Sequence, residues 1–305
     1  DVYKRQGDNM KETKRSNTWL SDHARSVTSQ AGEDGIIEKV LEVIARPNRW
    51  CVEFGSWDGK HLSNTWNLIT NHGFSAVLIE GDKKRHQTLR KNFLENPKVI
   101  PLCAFVGFEP EDGLDRILEK TPIPTDFDLL SIDIDGNDYH VWQAVRKYRP
   151  KAVIIEFNPT VPPAVRFVQP RDMSVTQGCG LTALVDLAGE KGYELVAVES
   201  ANAVFVDQTY FPLFEIEDNS IQALWTKQTA LTHLFFGYDG TVFIRGLTRH
   251  PWTSVPIKEE KLQILPKWAR KRLGKQNPLI QNLAKFYRRH LKKKSNGSPG
   301  PDKGD

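Results

Sequence analysis

The stretch Cys51-Val52-Glu53-Phe54-Gly55-Ser56-Trp57-Asp58-Gly59 decides the fold. An apolar strand ends in an acid and turns through two glycines, which lets backbone approach a ligand closely while a carboxylate stands ready for a cationic or hydroxyl-bearing group. The acid lies two residues before the first glycine, an E-x-G-x-x-x-G spacing. The dinucleotide fingerprint instead requires G-x-G-x-x-G opening directly into a phosphate-binding helix, so a pyrophosphate cradle is disfavoured. Working outward, Ser75-Ala76-Val77-Leu78-Ile79-Glu80-Gly81-Asp82 is a second apolar run ending in an acid, placed to accept hydrogen bonds from two ribose hydroxyls. One helical crossover, 62–72, separates the two runs, which predicts parallel neighbours joined by a right-handed connection. A single strand-end acid often only caps the next helix. Two of them at one crossover's spacing favour the nucleoside reading.

The same alternation continues along the chain. Ile36, Ile37, Val40, Leu41 and Ile44 recur at helical spacing, predicting a helix over 34–44 stopped by Pro47. Strands follow at 51–55, 75–80, 98–106, 128–134 and 151–157, separated by helices at 62–72, 83–95, 113–120 and 138–147. A helix at 180–191 then leads to strands at 193–199 and 202–207. Such alternation predicts a mostly parallel sheet with helices on both faces. The last two strands are too close for a crossover and form an antiparallel hairpin. A ligand belongs at the carboxyl ends of the strands, near the topological switch point.

A second chemical cluster, Asp133-Ile134-Asp135-Gly136-Asn137-Asp138-Tyr139-His140, sits where the fourth strand meets the next helix. Asp133 and Asp135 project to the same side of an extended strand. Crowded carboxylates repel, share a proton or recruit a cation. One strand along, Glu156 and Asn158 are also two apart. Together with Asp133 they form an oxygen-rich set suited to a divalent cation such as magnesium. The alternative is that Asp135 and Asp138 cap a helix while Glu156 binds backbone amides or substrate. His140, with an ordinary pKa near 6.5, is a third candidate base behind Asp133 and Asp135.

On these residues, with Ser29-Gln30-Ala31-Gly32-Glu33-Asp34-Gly35, Asp128 to Asp138 and Ile154-Ile155-Glu156-Phe157-Asn158-Pro159, the chain resembles the FkbM-type family of class I S-adenosylmethionine-dependent methyltransferases. The resemblance runs from about residue 29 to about residue 207. It implies an α/β, Rossmann-like seven-stranded sheet and S-adenosylmethionine as cofactor. Glu53, Gly55, Ser56, Trp57, Asp58, Gly59, Glu80, Gly81 and Asp133 would then line the cofactor pocket. It further implies methyl transfer to an oxygen of a hydroxylated small molecule or glycan, with Asp133, Asp135 and His140 as candidate catalytic groups. Two other readings stay open: an RNA methyltransferase, and a cofactor-binding scaffold without catalysis. Glu33 and Asp34 sit where acids favour a helix start, or Gln30 and Glu33 close the cofactor pocket. The proline-rich connection 159–180 is expected either to cover the acceptor or to be a surface loop.

Composition agrees with one catalytic domain: 305 residues at 39% apolar content bury a core of ordinary size. No apolar run reaches the roughly 20 residues of a membrane span, and the reading is cytoplasmic. Cys51, Cys103 and Cys179 lack metal or redox spacing and are expected to be reduced, with Cys51 and Cys103 as core filling. Residues 1–19 are expected to be a disordered leader, 20–210 the methyltransferase domain and 211–260 an addition to it. The remainder, 261–305, reads as a basic helical tail with a disordered end. Between Lys261 and Pro301 there are twelve Lys/Arg and no acid. Leu279, Ile280, Leu283, Phe286 and Tyr287 recur there at helical spacing, the pattern of an amphipathic basic helix that either contacts an anionic membrane surface, an acidic polymer or nucleic acid, or is simply solvated.

Overall fold

The computed structural model describes residues 15–45, 48–267, 270, 282, 285 and 286. The chain divides into two compact units, Asp1–Gln228 and Thr229–Asp305. The tail helix expected around 279–287 lies, apart from Asn282, Lys285 and Phe286, outside the described residues, as does most of the leader.

The first unit is built on seven strands: β1 (Trp50–Phe54), β2 (Ser75–Glu80), β3 (Val99–Cys103), β4 (Leu129–Ile132), β5 (Ala152–Glu156), β6 (Tyr193–Glu199) and β7 (Asn202–Asp207). Their order is β3-β2-β1-β4-β5-β7-β6. All neighbours are parallel up to β5, and β7 runs antiparallel to both β5 and β6. The helices are α1 (Glu33–Ile44), α2 (Trp66–Asn71), α3 (Lys83–Asn92), α4 (Leu114–Leu118), α5 (Asp138–Ala144), α6 (Leu181–Lys191) and α7 (Ile221–Leu224). The strand order reverses between β1 and β4. Right-handed crossovers therefore put the helices of the two halves on opposite faces. Burial agrees, since every residue of β4 and β7 is buried whichever way it points.

Several elements are shorter than their apolar pattern predicts, and each difference has a local cause. The helix expected from residue 62 starts only at Trp66, because residues 63–65 give their donors to Glu53. The helix after β4 ends at Ala144, and the amides of Arg146, Lys147 and Tyr148 turn instead onto the Asp115 carboxylate. β3 ends at Cys103. As an edge strand it leaves Cys103 exposed, while Cys51 and Cys179 are buried, and all three cysteines are free. The expectation that Cys103 fills the core is thus corrected. Trp19, placed by sequence at the end of the leader, is buried and donates its indole N–H to the Phe214 carbonyl. Trp19 and Phe214 thus belong to the packed unit.

The end of the sheet opposite the strand carboxyl ends is closed by Asp128. Its buried carboxylate accepts the backbone N–H groups of Asn48, Arg49 and Trp50 and the Lys151 ammonium. Truncating one partner of a buried, hydrogen-bonded charge pair removes the interaction and leaves desolvated groups behind. Asp128→Ala is expected to lower unfolding free energy by about 3 kcal/mol, measured by urea denaturation.

The second unit contains the hairpin β8 (Thr232–Phe236) and β9 (Val242–Gly246), turned at Tyr238-Asp239-Gly240. The Gln263 side chain bonds both the N–H and the carbonyl of Val242, and the Glu259 carboxylate accepts the Ile244 N–H. These side chains satisfy the outer edge of β9.

Candidate active site

Sheet register alone assembles the site. Phe54 pairs with Ile79 on one side and with Ile132 on the other, and Ile132 pairs with Ile155. One residue further on, Glu80, Gly55, Asp133 and Glu156 therefore fall in one row across the carboxyl ends of β2, β1, β4 and β5. The row borders a cavity of about 790 Å³, also lined by residues from the loops after β1, β3 and β4 and by Met173, Val175 and Thr176.

The Glu53–Gly59 turn is fixed from below. The buried Glu53 carboxylate accepts hydrogen bonds from the Ser63 and Thr65 hydroxyls at 2.6 and 2.7 Å and from the Asn64 N–H at 2.9 Å. Burial pushes its pKa up, and these three donors offset part of that shift. Glu53 thus organises the 55–65 loop while also bordering the cavity. Ser56 is likewise structural. Its hydroxyl donates to the Glu53 carbonyl and accepts the Ile79 N–H, tying β1 to β2. Gly55 has φ +73°, and a Cβ there would lie 2.2 Å from the Asp133 carbonyl oxygen. The close approach of β1 to β4 accordingly requires glycine.

Glu80 is held differently. Its Oε2 accepts the Trp57 N–H and its Oε1 the Asp82 N–H, both at 2.8 Å. Each oxygen keeps a further lone pair for another donor. Beside it, a Cβ on Gly81 would strike the Phe105 ring at 2.4 Å, so the cavity wall here is backbone against an aromatic face. Trp57 lies at the rim with the Arg85 guanidinium 4.2 Å from its ring.

The second half of the site is acidic. Asp133, Asp135 and Glu156 bring ligand oxygens within 4.8 Å of one another. The Asp133 and Glu156 carboxyls lie close enough to interact directly. Asp133 opens to the cavity, yet desolvation by the surrounding wall, then the charges of Asp138, Asp135 and Glu53, push it up to about 7. Burial and the Asp133 charge push Glu156 up to about 9. The two carboxyls titrate as a pair that retains a proton at neutral pH. The loop between them and α5 is fixed by buried Asp138, which accepts the Ile134 and Gly136 N–H groups. Asp135 has φ +56°, a left-handed conformation uncommon outside glycine.

This pair sets a pH dependence of stability. Folded-state values above the ordinary carboxylate range mean that the folded protein binds more protons than the unfolded chain. The stabilisation is complete below the unfolded pKa and is lost as pH rises through the folded one. The window therefore runs from about 4 to about 9. Wild type should melt at a lower temperature at pH 9 than at pH 5, and Glu156→Gln should flatten that difference in paired thermal melts.

Not every candidate reaches the cavity. Asp58 accepts the Lys60 and His61 N–H groups in a turn, and Gly59 packs under Phe93 and Leu89; neither lines the wall. His140 points away, its Nε2 2.9 Å from the Gln169 carbonyl and its ring edge-on to Phe108 and Tyr139. Asn158 turns toward Gln177 and Thr160, so Asp135 rather than Asn158 joins Asp133 and Glu156. At the helix start, Asp34 accepts the Val27, Thr28 and Ser29 N–H groups and Glu33 accepts the Ala31 N–H and the Asn202 amide. Gln30 alone of these reaches the wall. The sequence reading missed Ser63, Asn64 and Thr65 as partners of Glu53, and Phe105. Three consecutive donors after a turn were the available signal for the first group.

The strand order, the single reversed strand and the position of the cavity at the switch point define a class I methyltransferase fold. No family model matches the chain and no curated protein matches it in sequence. Among solved structures it is similar to the N-terminal domain of EvdMO1 in the presence of SAH and D-fucose, at 13% identity and TM-score 0.39, over 57% of this chain and 82% of that one. It is similar to M. capricolum TrmK in complex with S-adenosyl-homocysteine at 12% identity and TM-score 0.34, over 60% and 68% of the two chains. The citrinin polyketide synthase CMeT domain gives 12% identity and TM-score 0.39 over 59% and 54%. The fold assignment rests on sheet order and register, not on these likenesses.

Proposed function

We propose that the protein is an S-adenosylmethionine-dependent O-methyltransferase acting on a hydroxylated small molecule or glycan. The observation that carries this reading is the row Glu80–Gly55–Asp133–Glu156 on one cavity, which joins a pre-oriented carboxylate to a proton-sharing acidic pair. The cofactor fits the residues present. Glu80, fixed by two backbone amides, has lone pairs left for two ribose hydroxyls, and the Gly81 wall leaves no room for a side chain. When bound, S-adenosylmethionine supplies a methyl group already activated on a sulfonium. The protein's own work is then positioning and proton handling. Asp133 and Glu156 orient the acceptor hydroxyl and take up its proton, and Met173, Val175 and Thr176 of the 159–180 connection cover the acceptor.

A second reading uses Asp133, Asp135 and Glu156 as ligands for magnesium, which would polarise the acceptor oxygen. On the proton-sharing reading turnover survives EDTA, and on the metal reading it is lost. Methylation of RNA is less favoured, because the unit carrying the cavity has 33 Asp/Glu against 26 Lys/Arg and repels phosphate. Calorimetric titration of S-adenosylmethionine and S-adenosylhomocysteine into the folded chain tests the reading, followed by a screen of hydroxylated acceptors with and without EDTA. Micromolar cofactor binding supports it. Absence of binding sinks it, and binding without turnover across the screen favours the non-catalytic scaffold.

A further inference from the structure

We propose that the second unit docks the protein on an anionic lipid surface through the β8–β9 hairpin. Every residue of β8 is exposed. Leu234, Phe235 and Phe236 are about half exposed or more, and Tyr238 at the turn is 95% exposed. Trp252 and Val255 follow at 68% and 60%. Soluble surfaces scatter large apolar side chains singly, and concentrating them on one small unit marks an interaction site.

Charge identifies the occupant. Residues 229–305 carry sixteen Lys/Arg against five Asp/Glu, a net charge of +11, although the whole chain is only +4. A partner of negative potential is therefore required, and a second copy of this unit would repel the first. The apolar set separates a membrane from a nucleic acid. Bases stack on aromatic faces, which leaves Leu234 and Val255 without a role. An acyl–headgroup boundary accommodates aliphatic and aromatic side chains together, with tyrosine and tryptophan at the level of the headgroups. The basic residues add attraction to acidic lipids that salt screens. Among the described residues no helix is long and apolar enough to cross a membrane, so the contact is peripheral.

The test uses the full chain, vesicles of phosphatidylcholine alone or mixed with phosphatidylserine, and sedimentation at low and high salt. We expect binding to the acidic vesicles alone, weakened by salt. It should fall at least about tenfold in Leu234→Ser/Phe236→Ser, a variant that keeps wild-type cofactor affinity and melting temperature. A second variant, Tyr238→Ser, at the most exposed position, guards against a folding defect in the first and should lose affinity in the same direction. No binding to acidic vesicles overturns the proposal. So does binding that both variants retain in full, which would make the contact purely electrostatic. Capture of single-stranded RNA more tightly than vesicles, or salt-stable dimerisation through the hairpin, would assign the surface to those partners instead.

Discussion

Replacing Glu80 with alanine is expected to weaken S-adenosylhomocysteine binding about 1000-fold, roughly 4 kcal/mol at two charge-assisted hydrogen bonds of about 2 kcal/mol each. The size of the effect comes from preorganisation. The carboxylate is already fixed by the Trp57 and Asp82 N–H groups, so it gives up little rotamer freedom when a ligand arrives. In the variant the two amides lose their partner, and Trp57, held at φ +50°, loses the anchor of that conformation. Glu80→Gln keeps the shape and one acceptor, and should recover part of the affinity. The measurement is calorimetry on both variants beside melting curves. Unchanged affinity in Glu80→Ala would show that the cofactor is not held at this strand end.

The sheet was legible because each strand is a short apolar run bounded by turn residues, and because the 200–201 gap allows only a hairpin. The site was half legible. A strand-end acid can be recognised in sequence, but its partners cannot. Glu53 and Glu80 occupy equivalent positions by pattern and both border the cavity, yet Glu53 is bonded to Ser63, Asn64 and Thr65 while Glu80 keeps lone pairs for a ligand. That difference is set by how the 55–65 loop folds back, a matter of tertiary geometry that periodicity does not encode. The same holds for the acidic cluster. Period-two spacing placed Asn158 on the same side as Glu156, but strand geometry stops at Glu156, and beyond it the Asn158 side chain closes a turn onto Thr160. Alternation placed Asp135 beside Asp133, but β4 stops at Ile132 and Asp135 stands there through a positive φ, not through strand pleat. His140 was attractive by its ordinary pKa and lost by its place on α5, where the Gln169 carbonyl holds its ring outside the cavity.

Asp133→Asn is expected to reduce turnover by about 1000-fold, within the 10²–10⁴ range of a positioned proton acceptor, with a much smaller effect on cofactor affinity. The substitution keeps the size of the side chain and removes one charge from a crowded set, so the folded protein should be no less stable, and at high pH more so. An activity loss therefore cannot be assigned to unfolding. Two further readouts separate proton handling from simple positioning. Wild-type turnover should rise with pH as the Asp133–Glu156 pair loses its proton, and this limb should vanish in the variant. Because Asp133 and Glu156 act as one unit, Asp133→Asn/Glu156→Gln should cost no more than the worse single variant. Additive losses, or a pH limb that survives in Asp133→Asn, would move the proton-accepting role elsewhere. Restoration of wild-type rates by added magnesium alone would instead assign the three carboxylates to a metal ion.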